Sequence, residues 1–521
     1  MTTPTSQDIA AKLPNTLKAE GEHIVVKALA GTGKTTTGIE GLHELRGGKS
    51  QFTPSDEQRA IWDALKVGPS PSSIHSIAFN KSIATVLQDK VPSGVTASTT
   101  HSMGLKALKA AFNLRGRKSV NAWRTKNHLE ELTGKDIREL FKDTPDFVNA
   151  CDKLVGLCKL NLSEGTETEL DELAGHYDVD MNGSKGKVFD MVPRLLTRAK
   201  DINKDGYIDF NDMVAMPSIL GLPVQRYDLL IVDEAQDLNR AQQSLALAAG
   251  DRLMFVGDEN QAIYGFAGAD SESMQRMVDH LSSTDRNCTV LPLTETRRCA
   301  KAIVAEAQKI VPGFRAHESN PEGLIGRAGY DSEGKGYYGD LAVPSDLVVC
   351  RVNAPLVHEC FGFLKQGRKA NIQGRDIGTG LINTVKKLKP NDICDLSMKL
   401  NDWYHEQCQK ENAKKNPRET RIIAIQDRYE CLEHFCDAHD SVDGMIKHIQ
   451  DLFTEKAPGD SILLSSIHRA KGLEANRVFF LEPDSATCPH PMAKSDWQVK
   501  QEWNLRYVAM TRAINELYYI A

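Results

Sequence analysis

Three short apolar runs in the chain each predict a buried β-strand, and each is followed at once by small, polar or acidic residues. Residues 23–29 (HIVVKAL) lead into the turn AGTGKT at 30–35, after which apolar positions recur with helical spacing through Leu42. Residues 229–232 (LLIV) lead into Asp-Glu, and the segment 253–270 (LMFVGDENQAIYGFAGAD) begins with an apolar run that ends in Gly-Asp. Each of these three strand ends is therefore a candidate site.

Length and composition set the class of protein to which these strands belong. A chain of 521 residues is too long for one hydrophobic core, so about three or four compact units are expected. The chain is 40% hydrophobic and 26% charged, as in ordinary globular proteins, and no apolar run approaches the ~18 residues of a membrane span. Eleven cysteines without a paired framework, and no features of a signal peptide at the N-terminus, predict a cytoplasmic protein.

The turn at 30–35 is typical of a phosphate-binding loop. Between a strand and a helix, its backbone N–H groups would wrap the phosphates, Lys34 would reach the β- and γ-phosphate oxygens, and Thr35 would bind Mg²⁺. The first glycine of the usual GxxxxGK[ST] pattern is Ala28 here; the flanking strand and helix still favour the phosphate loop over a chance GTGKT. The candidate nucleotide-binding residues are Ala30, Gly31, Thr32, Gly33, Lys34, Thr35 and Thr36.

The other two strand ends supply what a phosphate loop needs for hydrolysis. Asp233 can hold Mg²⁺, and Glu234 can orient or deprotonate the attacking water. A solvated acidic turn is the alternative, but the two elements together predict a nucleoside triphosphatase. After the third strand, Gln261 is a candidate phosphate sensor, while Tyr264 and Phe266 could either stack on unpaired bases or pack in a core.

These segments, together with six others, resemble in order the motifs of superfamily 1 helicases of the UvrD/Rep/PcrA type. The matching segments are ALAGTGKTT (28–36), SIAFNKSIA (76–84), TTHSMG (99–104), DEAQD (233–237), GDENQAIYGFAGAD (257–270), LTETRRC (293–299), the stretch 348–378, SSIHRAKGLE (465–474) and LRYVAMTRA (505–513). The series extends from residue 22 to residue 513, so the resemblance covers nearly the whole chain.

The resemblance implies an α/β fold of two RecA-like P-loop motor domains with parallel sheets, each carrying a mainly helical insertion. The expected ranges are 1–104 and 206–295 for the first motor domain, 105–205 for its insertion, 296–381 and 455–521 for the second motor domain, and 382–454 for its smaller insertion. It also implies ATP and Mg²⁺ as cofactors, single-stranded DNA and tailed duplex DNA as partners, and a loading or repair protein as a further partner. Membrane association is not expected.

The resemblance assigns roles to individual residues. Lys34, Glu234 and Gln261 would act in catalysis, with Arg298 and Arg512 as arginine fingers from the second motor domain. Glu474 would help to close the site on the nucleotide. The residues expected to contact DNA are Phe79, Asn80, Thr100, His101, Tyr264, Phe266 and His468.

Three positions depart from the family pattern. Arg297 stands where the family has a tyrosine that stacks on adenine, and Ala267 stands where an arginine would contact DNA. The glutamine that reads adenine usually lies upstream of the phosphate loop, which favours Gln7 on chain order. Gln58, in TPSDEQRAIW, fits the local pattern better but lies downstream, so both remain candidates.

One segment predicts a different function. DINKDGYIDFND at 201–212 places oxygen-bearing residues as in a calcium-binding EF-hand loop. However, its last position is the short Asp212, Pro217 would shorten the exiting helix, and IDFNDM matches an Asp-Phe-x-Asp element of the helicases. We therefore expect an acidic turn here and treat a calcium-binding regulatory module as a remote alternative. The basic stretch 106–126 remains open between a DNA contact and a solvated face.

Overall fold

The computed structural model describes residues 22–520 apart from 79, 115, 117, 118, 178, 180, 182, 266–271, 285, 286, 329–340, 414–416, 418, 455–458, 483–487, 492, 494 and 495. The chain divides into two compact units, Met1–Thr294 and Glu295–Ala521. Each contains a parallel sheet with helices, which confirms the predicted α/β class. Within the described ranges, no helix has the length and apolar character that crossing a membrane requires.

The first unit is built on a six-stranded parallel sheet in the order β3-β2-β4-β5-β1-β6. Its strands are β1 (His23–Ala28), β2 (Ile74–Ile77), β3 (Val95–Ser98), β4 (Tyr227–Val232), β5 (Gly250–Gly257) and β6 (Cys288–Leu293). Alternate side chains of β1, β4 and β5 enter two apolar cores, one on each face of the sheet. This double burial explains why these strands appear in the sequence as continuous apolar runs.

The helices of the first unit include a group with an apolar core of its own. They are α1 (Lys34–Leu45), α2 (Asp56–Lys66), α3 (Lys81–Lys90), α4 (Thr100–Ala111), α5 (Arg124–Thr133), α6 (Ile137–Asp143), α7 (Pro145–Asn161), α8 (Glu167–His176), α9 (Lys185–Ala199), α10 (Ile202–Asp205), α11 (Phe210–Ile219), α12 (Arg240–Ala249) and α13 (Ser273–Ser282). Helices α5 to α9 surround the separate core and fall inside the expected insertion at 105–205.

The second unit contains a seven-stranded parallel sheet in the order β12-β11-β13-β10-β14-β15-β9, and a two-stranded sheet of β7 and β8. The strands are β7 (Glu295–Thr296), β8 (Arg315–Ala316), β9 (Leu324–Ala328), β10 (Leu347–Cys350), β11 (Ala370–Gln373), β12 (Phe453–Thr454), β13 (Ile462–Ser466), β14 (Ala475–Leu481) and β15 (Ala513–Ile520). The helices are α14 (Lys301–Ala307), α15 (Ala354–Lys365), α16 (Arg375–Leu388), α17 (Ile393–Asn412), α18 (Glu419–Asp437), α19 (Val442–Leu452), α20 (Ile467–Ala470) and α21 (Asp496–Met510). Helices α17 to α19 fall inside the expected insertion at 382–454.

The acidic residues of the 201–212 segment belong to a buried network of ion pairs. Asp212, which is fully buried, contacts Arg124 Nη1 at 2.7 Å and Lys159 Nζ at 2.7 Å. Lys159 also contacts Asp209 at 2.6 Å, and the carboxylate of Asp205 accepts hydrogen bonds from Arg124. Burial alone would raise the pKa of Asp212, but the charges of Lys159 and Arg124 outweigh it and lower the pKa. These carboxylates are therefore the counter-ions of buried cations.

The network also determines local structure. Asp209 and Asp212 form a capping box that starts α11, each side chain accepting a hydrogen bond from the backbone N–H of the other. Helix α11 lies so close to α4 that a Cβ on Gly104 would be 1.7 Å from the carbonyl oxygen of Met213. Arg124, counted within the basic stretch 106–126, points into this network and is fully buried, so it is not available to DNA.

We expect Asp212→Ala to lower the free energy of unfolding by about 3–5 kcal/mol, because it leaves Arg124 and Lys159 buried with fewer counter-charges. Asp201→Ala is the matched control, since Asp201 is exposed and only caps α10, and it should cost about 1 kcal/mol. Chemical denaturation of both variants measures the difference.

Millimolar Ca²⁺ should leave the melting temperature of the unaltered chain unchanged. A calcium-dependent rise in melting temperature that Asp201→Ala removes would contradict this account.

Candidate nucleotide-binding site

Three neighbouring strands bring the candidate residues of the first unit to one edge of its sheet. In the register of the parallel pairs, Lys27 of β1 lies opposite Gly257 of β5, and Val232 of β4 lies opposite Phe255 of β5. The carboxyl ends of parallel strands point the same way, so the residues after β1, β4 and β5 are placed together. The phosphate loop, the acidic pair and Gln261 all follow these three ends.

The candidate phosphate loop is a glycine turn between β1 and α1. Gly31 (φ 65°) and Gly33 (φ 79°) adopt left-handed conformations that favour glycine, and Thr32 Oγ1 donates a hydrogen bond to the carbonyl of Leu29 at 2.9 Å. Helix α1 begins at Lys34, directly after Gly33, and has no side-chain cap. An uncapped helix N-terminus beside a glycine turn is favourable for a phosphate group.

Thr35 and Asp233 supply oxygen atoms suited to a magnesium ion. Thr35 Oγ1 donates to Asp233 Oδ2 at 2.7 Å. Burial, and then the charge of Glu234, raises the pKa of Asp233 to about 6, while the hydrogen bond from Thr35 opposes the rise. Mg²⁺ is usually held in proteins by one or two such oxygens together with phosphates and water, so this pair fits it. No cluster of three or more His, Cys, Asp or Glu side chains that could hold a metal occurs among the described residues.

Glu234 is held in an uncommon conformation. Its backbone is left-handed (φ 53°, ψ 42°), which costs a non-glycine residue of the order of 1–3 kcal/mol and is found most often at functional sites. Its side chain contacts Lys34 Nζ at 3.8 Å and accepts a hydrogen bond from Gln236 Nε2 at 2.6 Å. The carboxylate is thus directed toward the lysine of the phosphate loop.

Asp258 is a part of the site that the sequence analysis did not single out. It is buried after β5, and its Oδ2 accepts a hydrogen bond from Gln261 Nε2 at 2.6 Å. Its backbone N–H donates to Gln236 Oε1 at 3.0 Å. Burial raises the pKa of Asp258, and the charge of Lys34 opposes the rise. The Gly-Asp ending of the third apolar run was the available signal for this residue.

The structure places only one of the two candidate adenine-reading glutamines. Gln58 is buried in α2, its Nε2 donates to Thr37 Oγ1 at 3.0 Å, and its Oε1 accepts from the backbone N–H of Ser55 at 3.0 Å. A Cβ on Gly33 would lie 3.9 Å from Gln58 Nε2, so Gln58 borders the phosphate loop. Gln7 lies outside the described residues.

The candidates of the second unit form a cluster of their own. Arg298 forms an ion pair with Glu474, and the adjacent Arg297 is exposed. Arg512 is buried, and its guanidinium donates to the carbonyls of Val508 at 3.0 Å and Leu473 at 3.1 Å. Burial, and then the charge of Arg298, lowers the pKa of Arg512 to about 10, so it remains charged at neutral pH.

Two of the expected DNA-contact residues have structural hydrogen bonds. Asn80 caps α3, its Oδ1 accepting from the backbone N–H of Ile83 at 2.9 Å. Thr100 is buried at the start of α4, and its Oγ1 accepts from Gln242 Nε2 at 2.9 Å. These contacts fix the strand ends after β2 and β3, where Asn80 and Thr100 lie.

The other DNA-contact candidates that the structure describes are two neutral histidines and one half-buried tyrosine. Burial lowers the pKa of His101, and burial together with Arg351 lowers that of His468 to about 3, so both rings are neutral near pH 7. Either ring would meet nucleic acid as a neutral hydrogen-bonding group. Tyr264 is half-buried, and Phe79 and Phe266 lie outside the described residues.

A glycine turn between a strand and a helix, a Thr–Asp pair suited to Mg²⁺, and the buried Asp258 and Gln261 lie at one edge of a parallel sheet, an arrangement typical of P-loop nucleoside triphosphatases. Two family models match the chain: the UvrD/REP helicase N-terminal domain at residues 66–282 and the UvrD-like helicase C-terminal domain at residues 268–521. The chain belongs to the UvrD/Rep/PcrA-like family of DNA helicases.

Individual relatives agree with this assignment at low identity. DNA helicase II of Rickettsia typhi is 20% identical over 562 residues, covering 86% of this chain and 84% of the relative. DNA helicase II of Escherichia coli is 22% identical over 56% of this chain and 39% of its own length. The ATP-dependent DNA helicase PcrA of Bacillus subtilis is 25% identical over 46% of this chain and 33% of its own length. The aligned regions therefore span less than half of the last two relatives.

We expect Lys34→Ala and Glu234→Gln each to reduce ATP turnover by about 10²-fold or more, because one removes the phosphate-binding charge and the other the candidate base. Phosphate release in the presence of single-stranded DNA measures the effect, and circular dichroism checks the fold. Glu44→Gln is the control: Glu44 lies on α1 and pairs with Arg59 and Lys66, away from the loop. Near-normal turnover in either site variant would refute the assignment.

Proposed function

We propose that the chain is an ATP-dependent DNA helicase that translocates 3′ to 5′ on single-stranded DNA and acts in DNA replication, recombination or repair. The observation that carries the proposal is the convergence of Lys34, Thr35, Asp233, Glu234 and Gln261 at one sheet edge. The order of the helicase motifs through the rest of the chain supports the same function.

In this proposal ATP binds with its phosphates on the loop at residues 30–36. Thr35 and Asp233 would hold Mg²⁺, which neutralises charge on the β- and γ-phosphates when bound. Glu234 orients the attacking water and accepts its proton, while Gln261 responds to the γ-phosphate. Lys34, already 3.8 Å from Glu234, binds the β/γ oxygens.

The remaining nucleotide contacts rest on the family motifs. We assign Arg298 and Arg512 as arginine fingers, so that Arg298 must exchange Glu474 for a phosphate oxygen during the cycle. Glu474 then helps to close the site. Either Gln58 or Gln7 reads adenine, and the exposed Arg297 stacks on the base in place of tyrosine.

The proposed direction of movement rests on the residues of two motifs. The branch of superfamily 1 that moves 5′ to 3′ typically has GDxxQLPPV after the third strand and a QG pair in the fifth motif. This chain has GDENQAIYGFAGA at 257–269 and HRAKGLE at 468–474, as in the UvrD-like branch. Stacking of successive bases on Tyr264, Phe266 and Phe79 would then guide the strand. Asn80, Thr100, His101 and His468 would contact the strand or the loops that hold it.

The substrates in this proposal are single-stranded DNA and tailed duplexes, with a loading or repair protein as a further partner. A second candidate function is a DNA-stimulated ATPase that remodels protein–DNA complexes without processive unwinding. The short insertion expected at 382–454, which contains the three helices α17 to α19, gives this alternative its support. Strand separation distinguishes the two functions.

We expect a duplex with a 3′ single-stranded tail to be unwound with ATP and Mg²⁺, and a duplex with only a 5′ tail to remain annealed, because the enzyme loads on the tail and moves 3′ to 5′. Fluorescence of a labelled displaced strand measures this, and Lys34→Ala serves as the inactive control. The reverse tail preference would contradict the direction. ATP hydrolysis with either tail but no strand release would favour the remodelling function.

A further inference from the structure

A continuous row of hydrogen bonds joins the candidate base to the turn that precedes Tyr264. Gln236 Nε2 donates to Glu234 Oε2 at 2.6 Å, and Gln236 Oε1 accepts from the backbone N–H of Asp258 at 3.0 Å. Asp258 Oδ2 in turn accepts from Gln261 Nε2 at 2.6 Å. The Gln236 side chain therefore donates a hydrogen bond to a residue that follows β4 and accepts one from a residue that follows β5.

Packing gives this row little freedom. Gln236 is 1% exposed, Asp258 1% and Gln261 5%. A Cβ on Gly257 would lie 2.6 Å from Gln236 Oε1 and 3.1 Å from its backbone nitrogen, so only glycine admits the carboxamide here. Breaking one of these buried hydrogen bonds without a new partner costs about 1–3 kcal/mol. If the Gln261 turn shifts, either Gln236 moves with it and the hydrogen bonds are kept, or a hydrogen bond breaks at this cost in free energy.

We propose that Gln236 is a positioning residue through which DNA binding at the Gln261–Tyr264 turn sets the orientation of the Glu234 carboxylate. This inference rests on the proposed function and deepens it by naming where DNA stimulation enters the hydrolytic site. Glu234 depends on such support because its backbone is left-handed, and the hydrogen bond from Gln236 fixes its Oε2.

The molecule contains a competing route. Thr100, another DNA-contact candidate, accepts a hydrogen bond from Gln242 Nε2 at 2.9 Å. Gln242 belongs to the capping box that starts α12, just after the acidic turn. DNA binding at Thr100 could thus reach the same site through α12. A third buried glutamine, Gln243, donates to the carbonyl of Leu238 at 3.2 Å and to Ser273 Oγ at 3.0 Å, and Ser273 Oγ donates to the carbonyl of Ala235 at 2.7 Å. Gln243 thus supports the backbone of the acidic turn and serves as the control for general support of that turn.

These three glutamines allow a matched test. Gln236→Met keeps the side-chain length but removes both hydrogen bonds. Steady-state ATP turnover is measured with and without an oligothymidylate, at saturating and subsaturating ATP. We expect the ratio of stimulated to basal turnover to fall by about tenfold, with a smaller fall in basal turnover and a KM for ATP within about twofold of the unaltered chain. Gln243→Met should keep the ratio.

Two further variants keep the test decisive. Gln236→Leu also lacks both hydrogen-bonding groups but has a different shape, so it should lose stimulation even if Gln236→Met fails to fold. If Gln236 and Gln261 act in series, Gln236→Met combined with Gln261→Met should lower the ratio no further than Gln236→Met alone.

Several results would overturn the inference. The first is full stimulation in either folded Gln236 variant, and the second is an equal loss of basal and stimulated turnover in those variants. The third is a double variant whose loss is the product of the two single losses. The fourth is a loss of stimulation in Gln242→Met while the Gln236 variants keep theirs. If the unaltered chain hydrolyses ATP without any response to DNA, the proposed function fails and the inference fails with it. If the unaltered chain and Gln236→Met are stimulated equally, only the inference fails.

Discussion

The candidate site depends on one positive charge, the ammonium group of Lys34, which interacts with the carboxyl groups of Asp233, Glu234 and Asp258. Burial raises the pKa of Asp233 and Asp258, and Lys34 opposes the rise in both. The same lysine lies 3.8 Å from Glu234. Buried carboxylates that lack a positive partner tend to take up protons. Lys34 thus favours the ionised form of the acids at two strand ends, and its position at the start of α1 places it next to the glycine turn.

A second group of buried charges stabilises the helical part of the first unit. Arg124 and Lys159, which lie on α5 and α7, are paired with Asp205, Asp209 and Asp212. Because Asp209 and Asp212 also cap α11, the ion pairs and the helix start depend on each other. Helix α11 contacts α4 at Gly104, and α4 begins at Thr100. The charged network thereby supports the segment that carries two DNA-contact candidates.

The sequence predicted those features that depend on neighbouring residues. The phosphate loop, the acidic pair and the alternation of strands with helices are local patterns, and the parallel sheets confirm the fold class. The partners of Asp212 could not be predicted, because Arg124 lies 88 residues away in the sequence and the two residues meet only through tertiary packing. The same applies to Gln236 and Asp258, which meet only because β4 and β5 are neighbours. The burial that lowers the pKa of His468 likewise arises from tertiary packing.

In the proposed function, this chain is an ATP-driven motor activated by single-stranded DNA. Steady-state ATP hydrolysis by the unaltered chain, measured alone, with single-stranded DNA, with blunt duplex and with single-stranded RNA, tests it most directly. We expect low basal turnover, a rise of at least about tenfold with single-stranded DNA, and little response to blunt duplex. Turnover that is the same with and without single-stranded DNA, or that responds only to RNA, would contradict it.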